Sequence, residues 1–410
     1  MNTSPECRAC GSSNLQLILA LGHTPLANAL LTAAELDQPE DTYPLNLVFC
    51  PTCSLVQISE TVAPEKLFSE YLYFSSVSPT MVSHAKKVVQ HILESRSLGP
   101  GSLAIEIASN DGYLLQFYKE AGVPVLGIEP AINVAQVAEA TRGIPTLNDY
   151  FNSDLARGLV ASGRQADVIH ANNVLAHVPD LNGFVAGLQL LLKDDGVCVI
   201  EAPYVKDLVD GCEFDTIYHE HLCYFSLIAL NRLFDSHRLV IQDVELLSIH
   251  GGTLRLFVTQ KNGAARGESV SNLIAQERAE GLDKFSYYEG FARRVEELKT
   301  SLQKFIYERK QERKSLAAYG AAAKGSTLLN YFGIGRDSLD FVVDRSPHKQ
   351  GLYMPGVRLP IYPPEKLLQE MPAYVLLLTW NFADEIREQQ AEYRQRGGRF
   401  IIPIPELRVV

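Results

Sequence analysis

Between residues 102 and 203, short apolar runs alternate with amphipathic stretches. "SLAIEIAS" (102–109), "VPVLGIEP" (123–130), "ADVIHANNV" (166–174) and "VCVIEAP" (197–203) are brief and predict strands of a buried sheet. The intervening "NDGYLLQFYKEAG" (110–122), "INVAQVAEATRG" (132–143) and "LNGFVAGLQLLLKDDG" (181–196) have helical periodicity. Strand and helix alternating at this rhythm predict a mainly parallel sheet with helices on both faces. "MVSHAKKVVQHILESRSL" (81–98) predicts a helix leading into it, and "LVIQDVELL" (239–247) with "GTLRLFVTQ" (252–260) predicts paired strands forming an antiparallel edge. A charged helical stretch over 285–315 predicts a bridge. After it the pattern restarts in "LAAYGAAAKGSTLLNYFG" (316–333), "LDFVVD" (339–344), "YVLLLTW" (374–380) and "FIIPIP" (400–405), a second and smaller unit of the same kind.

Composition narrows the reading. A length of 410 residues suits two or three domains. The net charge of −11 speaks against a nucleic-acid surface. No apolar run approaches the ~20 residues of a membrane span, and the N-terminus lacks a signal-peptide core. The expected setting is cytoplasmic, with cysteines serving as thiols or metal ligands. Cys7 and Cys10 form one C-x-x-C, and Cys50 and Cys53 another. Four thiolates on two short turns can close a tetrahedral shell around Zn²⁺, with no position left open for chemistry. Residues 1–75 therefore read as a small zinc-held domain. Cys198, Cys212 and Cys223 are expected to be packed.

The strand ends carry the cofactor signal. "AIEIASNDGYLL" closes a strand in a small, polar, glycine-bearing turn that opens a helix, so a ligand can approach the backbone and meet helix N–H groups. The G-x-G-x-x-G of dinucleotide sites is missing. Glu129, ending the next strand, is placed to hold ribose hydroxyls of an adenosyl group. Asn148 and Asp149 can flank the adenine, and Asn172 and Asn173 close a further strand end. The combination resembles a class I S-adenosylmethionine-dependent methyltransferase. The cofactor set this implies is Glu106, Ser109, Asn110, Asp111, Gly112, Glu129, Pro130, Asn148, Asp149, Asn172 and Asn173. A nicotinamide enzyme could also use Glu129, but would want more glycine for its pyrophosphate.

"IYHEHLCYFS" (217–226) is the densest polar stretch. In an extended segment His219 and His221 share one face, with Tyr218 and Glu220 on the other; a turn would change the facing. The two histidines lack a third ligand at a convincing spacing, so packing or acid–base work is favoured over a metal. The stretch follows the strand "VCVIEAPYV", a position that overhangs the cofactor's methyl group.

The N-terminal cysteines, "YLYFSSVSPT" (71–80), "EIASNDGYLL", "NNVLAHVPD" (172–180), "YHEHLCYFS", "HGGTLR" (250–255) and "YGAAAKGSTLLNYFG" together resemble, over nearly the whole chain, the sugar C-methyltransferases acting on nucleotide-linked 4-keto-deoxysugars. Many relatives have Gly in place of Ala108. The resemblance implies three domains: a zinc domain (1–75), a central class I methyltransferase Rossmann-like domain (76–265) and a smaller C-terminal Rossmann-like α/β domain (266–410) that helps bind the nucleotide sugar. It implies His221 as general base, with Glu220 orienting it or meeting substrate. Tyr218 and His177 are candidates to polarise the ketone or hold the sugar, and Tyr71, Tyr73, Ser75 and Tyr224 to line the substrate pocket. The chemistry agrees: carbon methylation α to a ketone needs a base for the α-proton and donors for the enolate oxygen. C-3 is favoured over C-5, and dTDP over GDP or CDP. An O- or N-methyltransferase would leave the "YHEH" stretch unexplained; a non-catalytic zinc-containing interaction protein would not need an intact "NDG" and Glu129.

In the C-terminal unit, Lys324 with the N–H groups of Gly325 and Ser326 could hold a pyrophosphate at a helix start, and Asp344 sits where a ribose or base contact would be. The spacing is not that of a Walker A loop. The partners expected are a nucleotide-linked keto-sugar, no nucleic acid and no membrane. Three domains on one chain can complete the site, which favours a monomer.

Overall fold

The structure is a computed structural model that describes residues 5–63, 66–67, 74–262 and 264–410. Three sheets organise it. The first is antiparallel and runs β1 (Gln16–Pro25), β2 (Thr42–Phe49), β3 (Val56–Ile58) and then β9 (Cys223–Tyr224). This β9 is the tail of the "YHEH" stretch. It pairs Tyr224 with Val56 and Cys223 with Gln57, and Ile58 N donates to Leu222 O at 3.0 Å.

The second sheet contains β4 (Ala104–Ile107), β5 (Val125–Ile128), β6 (Thr146–Leu147), β7 (Ala166–Asn172), β8 (Leu192–Pro203), β10 (Leu239–Leu247) and β11 (Thr253–Gln260), in the order β10-β11-β8-β7-β4-β5-β6. β4 to β8 are parallel, and β11 and β10 complete the expected antiparallel edge. The third sheet holds β12 (Leu316–Tyr319), β13 (Val342–Val343), β14 (Ile361–Tyr362), β15 (Tyr374–Leu377), β16 (Arg399–Ile402) and β17 (Arg408–Val409), in the order β14-β13-β12-β15-β16-β17. In both parallel sheets the chain steps outward from the first strand, then returns to its other side. That reversal opens a crevice beyond the carboxyl ends of the strands, where ligands of such sheets sit.

Several boundaries depart from the periodicity: the helix expected over 110–122 is confined to Leu115–Glu120, because the polar turn before it takes left-handed backbone, and the bridge expected over 285–315 is confined to Phe291–Gln311. The helix expected over 181–196 stops at Leu191, and β8 begins at Leu192. Leu192 pairs with Ala166, and Lys193 Nζ reaches Asp167 Oδ2 at 2.8 Å, so sheet pairing captures "LKDDG" from the helix.

The units are closely joined. The bridging helix, Phe291–Gln311, buries Phe291, Val295, Leu298, Leu302 and Ile306, a stripe at three- and four-residue spacing. The apolar core is continuous from Leu47 and Phe49 in the first sheet, through Ile105, to Leu376 in the third. On the outside, Arg358 of the C-terminal unit donates to the Leu36 and Gln38 carbonyls and pairs with Glu40, while Gly356 N also reaches Glu40. No helix among the described residues is long and apolar enough to cross a membrane.

Candidate active site

The cysteines converge as their spacing requires. Cys7 and Cys53 Sγ lie 3.4 Å apart, Cys10 and Cys50 Sγ 3.6 Å, and all four ligand atoms fall within 4.8 Å of one another. Zn–S bonds of ~2.3 Å give tetrahedral edges of ~3.8 Å, so the cluster fits zinc. Both knuckles are built alike. Gly11 N donates to Cys7 O and Ser54 N to Cys50 O, each at 2.8 Å, with φ of +71° and +68° at the fourth residue past the first cysteine. Cys198, Cys212 and Cys223 are buried, as expected.

Beyond β4 and β5 lies the turn read as the cofactor's. Ala108, Asn110 and Gly112 all adopt positive φ, folding the chain back on itself before the helix Leu115–Glu120. Ala108 at φ +52° bears a cost that glycine would avoid. Glu129 braces this turn: Oε2 accepts from Asn110 N at 2.9 Å and Oε1 from Ala131 N at 2.8 Å. Burial pushes the Glu129 carboxyl up, against the pull of those two N–H groups. Asn148 Nδ2 donates to the Glu129 and Pro130 carbonyls at 2.8 and 2.9 Å, so it supports the strand end. Asn110, Glu129, Pro130, Asp149, Asn172 and Asn173 line a cleft of about 1930 Å³. Glu106, Ser109, Asp111, Gly112 and Asn148 lie behind that wall. Glu106 is buried and its carboxyl is driven well up by desolvation, then by Glu129 and Asp111. Asn172 Oδ1, Ser109 Oγ and Asp111 Oδ1 are buried atoms with no hydrogen-bond partner among the described residues. Of these, Asn172 belongs to the cleft wall, and its unsatisfied acceptor together with the Glu129 and Asp149 carboxyls fits a ligand carrying an ammonium, hydroxyls and a sulfonium charge, as S-adenosylmethionine does.

Across the cleft, "YHEH" is a turn rather than a strand: His221 N donates to Tyr218 O at 2.9 Å. This overturns the facing expected of an extended segment. His219 points away, buried, with Nε2 3.1 Å from Pro44 O and its ring against Tyr43. Tyr218 and His221 come together instead, their rings 4.1 Å apart between centroids and Tyr218 Oη 2.8 Å from His221 Nε2. His221 Nδ1 lies 2.9 Å from Thr216 O, and Tyr224 Oη donates to the same carbonyl at 3.3 Å. A carbonyl only accepts, so Nδ1 carries the hydrogen and Nε2 is the basic atom, accepting from Tyr218. The His177 ring stands 4.9 Å from that of His221 and is held neutral by desolvation. Tyr218, Glu220, His221, Tyr224 and His177 all line the cleft.

Ser75 also lines it; its N–H donates to Asn110 Oδ1 at 2.9 Å, while Ser76 Oγ donates to Asp111 Oδ2 at 2.5 Å. The segment before the first central helix is thus pinned to the cofactor turn. Tyr71 and Tyr73 lie outside the described residues.

From the third sheet, Lys324 enters the cleft at the start of the helix Ala323–Phe332. Gly325 and Ser326 do not line it. A Cβ on Gly325 would come within 2.8 Å of Leu378, so that glycine serves helix–strand packing, and Ser326 N is spent on Ala322 O at 3.1 Å. Lys324 Nζ lies 4.8 Å from the Trp380 ring centre, with no hydrogen bond to the described residues. Trp380 Nε1 donates to Asp215 Oδ2 at 2.7 Å. Burial pushes Asp215 up to about 6 and Glu213 up to about 8, each opposed by the Lys324 charge. The glycines of "HGGTLR" make room for this acidic wall: a Cβ on Gly251 would collide with the Glu213 carboxyl, and one on Gly252 with Asp207. Asp344 lines the cleft too, its Oδ2 accepting from Ala321 N at 2.7 Å and its Oδ1 from Ser346 N at 2.8 Å.

Sequence reasoning missed Asn28, whose Nδ2 donates to Glu220 Oε1 at 2.6 Å, along with Glu213, Asp215, Trp380 and Lys349. No local signal marks them, since their partners lie up to 192 residues away.

Comparisons with known proteins agree with this layout. Family models match over residues 7–68 (a zinc binding domain), 81–242 (a methyltransferase domain) and 248–405 (a C-methyltransferase C-terminal domain). The chain is 36% identical over 408 residues to C-methyltransferase NovU of Streptomyces niveus, covering 99% of this chain and 96% of that protein. Among solved structures, magnesium protoporphyrin IX methyltransferase from Synechocystis PCC 6803 with bound SAM matches at 15% identity and TM-score 0.34, over 44% of this chain and 79% of that one. An S-adenosylmethionine-dependent methyltransferase from Clostridium acetobutylicum ATCC 824 matches at 13% and 0.34, over 43% and 90%.

Proposed function

The chain belongs to this family of S-adenosylmethionine-dependent C-methyltransferases, and on that premise we propose that it methylates the carbon next to the ketone of a nucleotide-linked 4-keto-6-deoxysugar. C-3 is preferred to C-5 and dTDP to GDP or CDP. The proposed division of labour is zinc scaffold over 1–75, cofactor and base over 76–265, and nucleotide-sugar binding over 266–410, in a monomer.

Bound S-adenosylmethionine supplies an electrophilic methyl group on sulfonium, which calls for a carbon nucleophile. The observation carrying the reading is the Tyr218–His221 pair. An O- or N-methyltransferase has no need of a base for a C–H bond. Here an imidazole whose Nδ1–H is tied to Thr216 O presents Nε2 toward the Tyr218 hydroxyl on the cleft wall. In the proposed mechanism the Tyr218 hydroxyl hydrogen turns to the substrate ketone oxygen, which frees the Nε2 lone pair of His221. Nε2 then takes the α-proton, the C–H electron pair becomes the enolate, and the new Nε2–H donates to Tyr218 Oη while the Tyr218 hydroxyl donates to the enolate oxygen. His177, kept neutral by burial, is a second candidate donor to that oxygen. Bound in the strand-end cleft, the cofactor would supply its methyl group to the enolate carbon. Glu220 holds a substrate hydroxyl or ammonium, Asn172 and the strand-end acids hold the cofactor, and Lys324 answers the diphosphate charge.

The test is incubation of the enzyme with a dTDP-4-keto-6-deoxysugar and ¹³C-methyl-labelled cofactor. The expected product shows a carbon–carbon bond to the labelled methyl by NMR. Without cofactor, the α-hydrogen should exchange with deuterated water. A labelled methyl on oxygen or nitrogen would overturn the reading.

A further inference from the structure

Glu220 is a cleft carboxyl reached by all three units. Its own turn belongs to the central part of the chain. Asn28, on the turn that follows β1, donates to Oε1 at 2.6 Å. Lys349, on the loop after β13, lines the same cleft and draws the carboxyl toward its ionised form. The side chain is largely buried and lines the cleft, with Oε1 taken by Asn28. The second carboxylate oxygen is then the one available to a donor bound in the cleft.

The Asn28 turn is itself held. Ala29 N donates to Leu26 O at 3.1 Å and Leu30 N to Asn28 O at 2.9 Å, and just beyond it Leu31 pairs with Tyr353 of the C-terminal unit. The amide is therefore placed by the zinc-held sheet on one side and a loop of the C-terminal unit on the other.

We propose that Asn28 is a positioning residue for the reaction: its amide fixes the Glu220 carboxyl through Oε1 so that Oε2 is presented to a hydroxyl or ammonium group of the substrate. The zinc unit then contributes a side chain to the site as well as a scaffold. This rests on the proposed sugar-methylating function for the identity of the donor, though not for the contact itself.

The groups facing Glu220 set the sign of the test. Burial pushes its carboxyl up to about 7, while the Asn28 amide first, and the Lys349 charge second, pull it down. His177 and His221 are the titratable neighbours on its own side. A donor to a carboxylate favours the ionised form, so removing Asn28 must raise the midpoint. Protein labelled with ¹³C at the glutamate carboxyls, with the Glu220 resonance identified by its loss in Glu220→Gln, gives the titration without any substrate. In Asn28→Ala the midpoint should climb, making Glu220 about tenfold weaker as an acid, the size of one charge-assisted hydrogen bond. In Asn28→Asp, where two carboxyls meet, it should climb further. Kinetically, Asn28→Ala should lower kcat/KM about tenfold in the wild-type background and less than about twofold in Glu220→Gln. Zinc content and cofactor affinity, unchanged in Asn28→Asp, show that the fold persists even if Asn28→Ala loses it. An unmoved Glu220 midpoint, or an equal kinetic penalty in both backgrounds, would overturn the proposal. If the wild-type protein transfers no methyl to a keto-sugar nucleotide, the functional reading fails while the titration still decides the role of Asn28.

Discussion

Glu129 and Asp344 occupy the same place in two different sheets and make the same pair of bonds. Each ends the strand next to the first one, accepts from an N–H of the turn after that first strand, and accepts from the N–H two residues further along its own chain. The two sheets also share a strand order about their first strands. The turns they brace differ in charge. The central turn faces the cleft beside Glu129, Asp149 and the unsatisfied Asn172 acceptor, with Glu106 and Asp111 buried behind it. The C-terminal turn carries Lys324, poised over Trp380, with Arg345 and Lys349 beside it in the cleft. One scaffold thus offers acceptors suited to a cationic ligand and the other offers a cation suited to an anionic one. The acid that braces the turn is common to both; the side chains on the turn set the preference.

The comparison can be broken in several places. The largest effect is expected where neither turn is touched. His221→Ala should cut methylation by ~10²–10⁴-fold, the usual worth of a positioned base. Calorimetry should find S-adenosylhomocysteine and nucleotide affinities nearly unchanged; loss of either would place His221 in binding rather than proton transfer. Glu129→Gln leaves one acceptor where there were two, and should weaken cofactor binding by about ten- to a hundredfold while sparing the nucleotide. Lys324→Ala should raise the KM for the sugar nucleotide about tenfold at constant cofactor affinity. If each substitution weakened both ligands alike, the division of charge between the turns would be wrong.

The smallest effect concerns stability. Glu213 is pushed up to about 8 in the folded protein, against an ordinary carboxyl value of 4.5. Between those values the folded chain keeps a proton that the unfolded chain has released, so stability falls as pH rises. Glu213→Gln should remove a slope of at most about 1.4 kcal/mol per pH unit in that window. Denaturant titrations from pH 5 to 8, with a slope identical to that of the wild type, would show Glu213 ionised in the fold.

Much of this was legible residue by residue. The strands 104–107, 125–128 and 166–172 follow their apolar runs, and the two C-x-x-C turns meet in space. Glu129 follows the end of β5, where its apolar run stops. The partition of "LKDDG" between helix and strand was not legible, because helical periodicity runs on through residues that β7 claims by pairing. The roles of His219 and His221 were not separable either. An extended segment and a turn contain the same residues, and only the bond from His221 N to Tyr218 O selects between them.

The sequence by itself determined the alternating β/α plan, the zinc ligands and the polar strand ends, because periodicity and ligand chemistry are local properties of the chain. Only the tertiary structure decided that β9 joins the zinc-held sheet, that Asn28 grips Glu220, and that Lys324 stands over Trp380 beside Asp215. Those contacts join residues distant along the chain, and it is the packing of three sheets around one continuous core that brings their polar atoms within bonding distance.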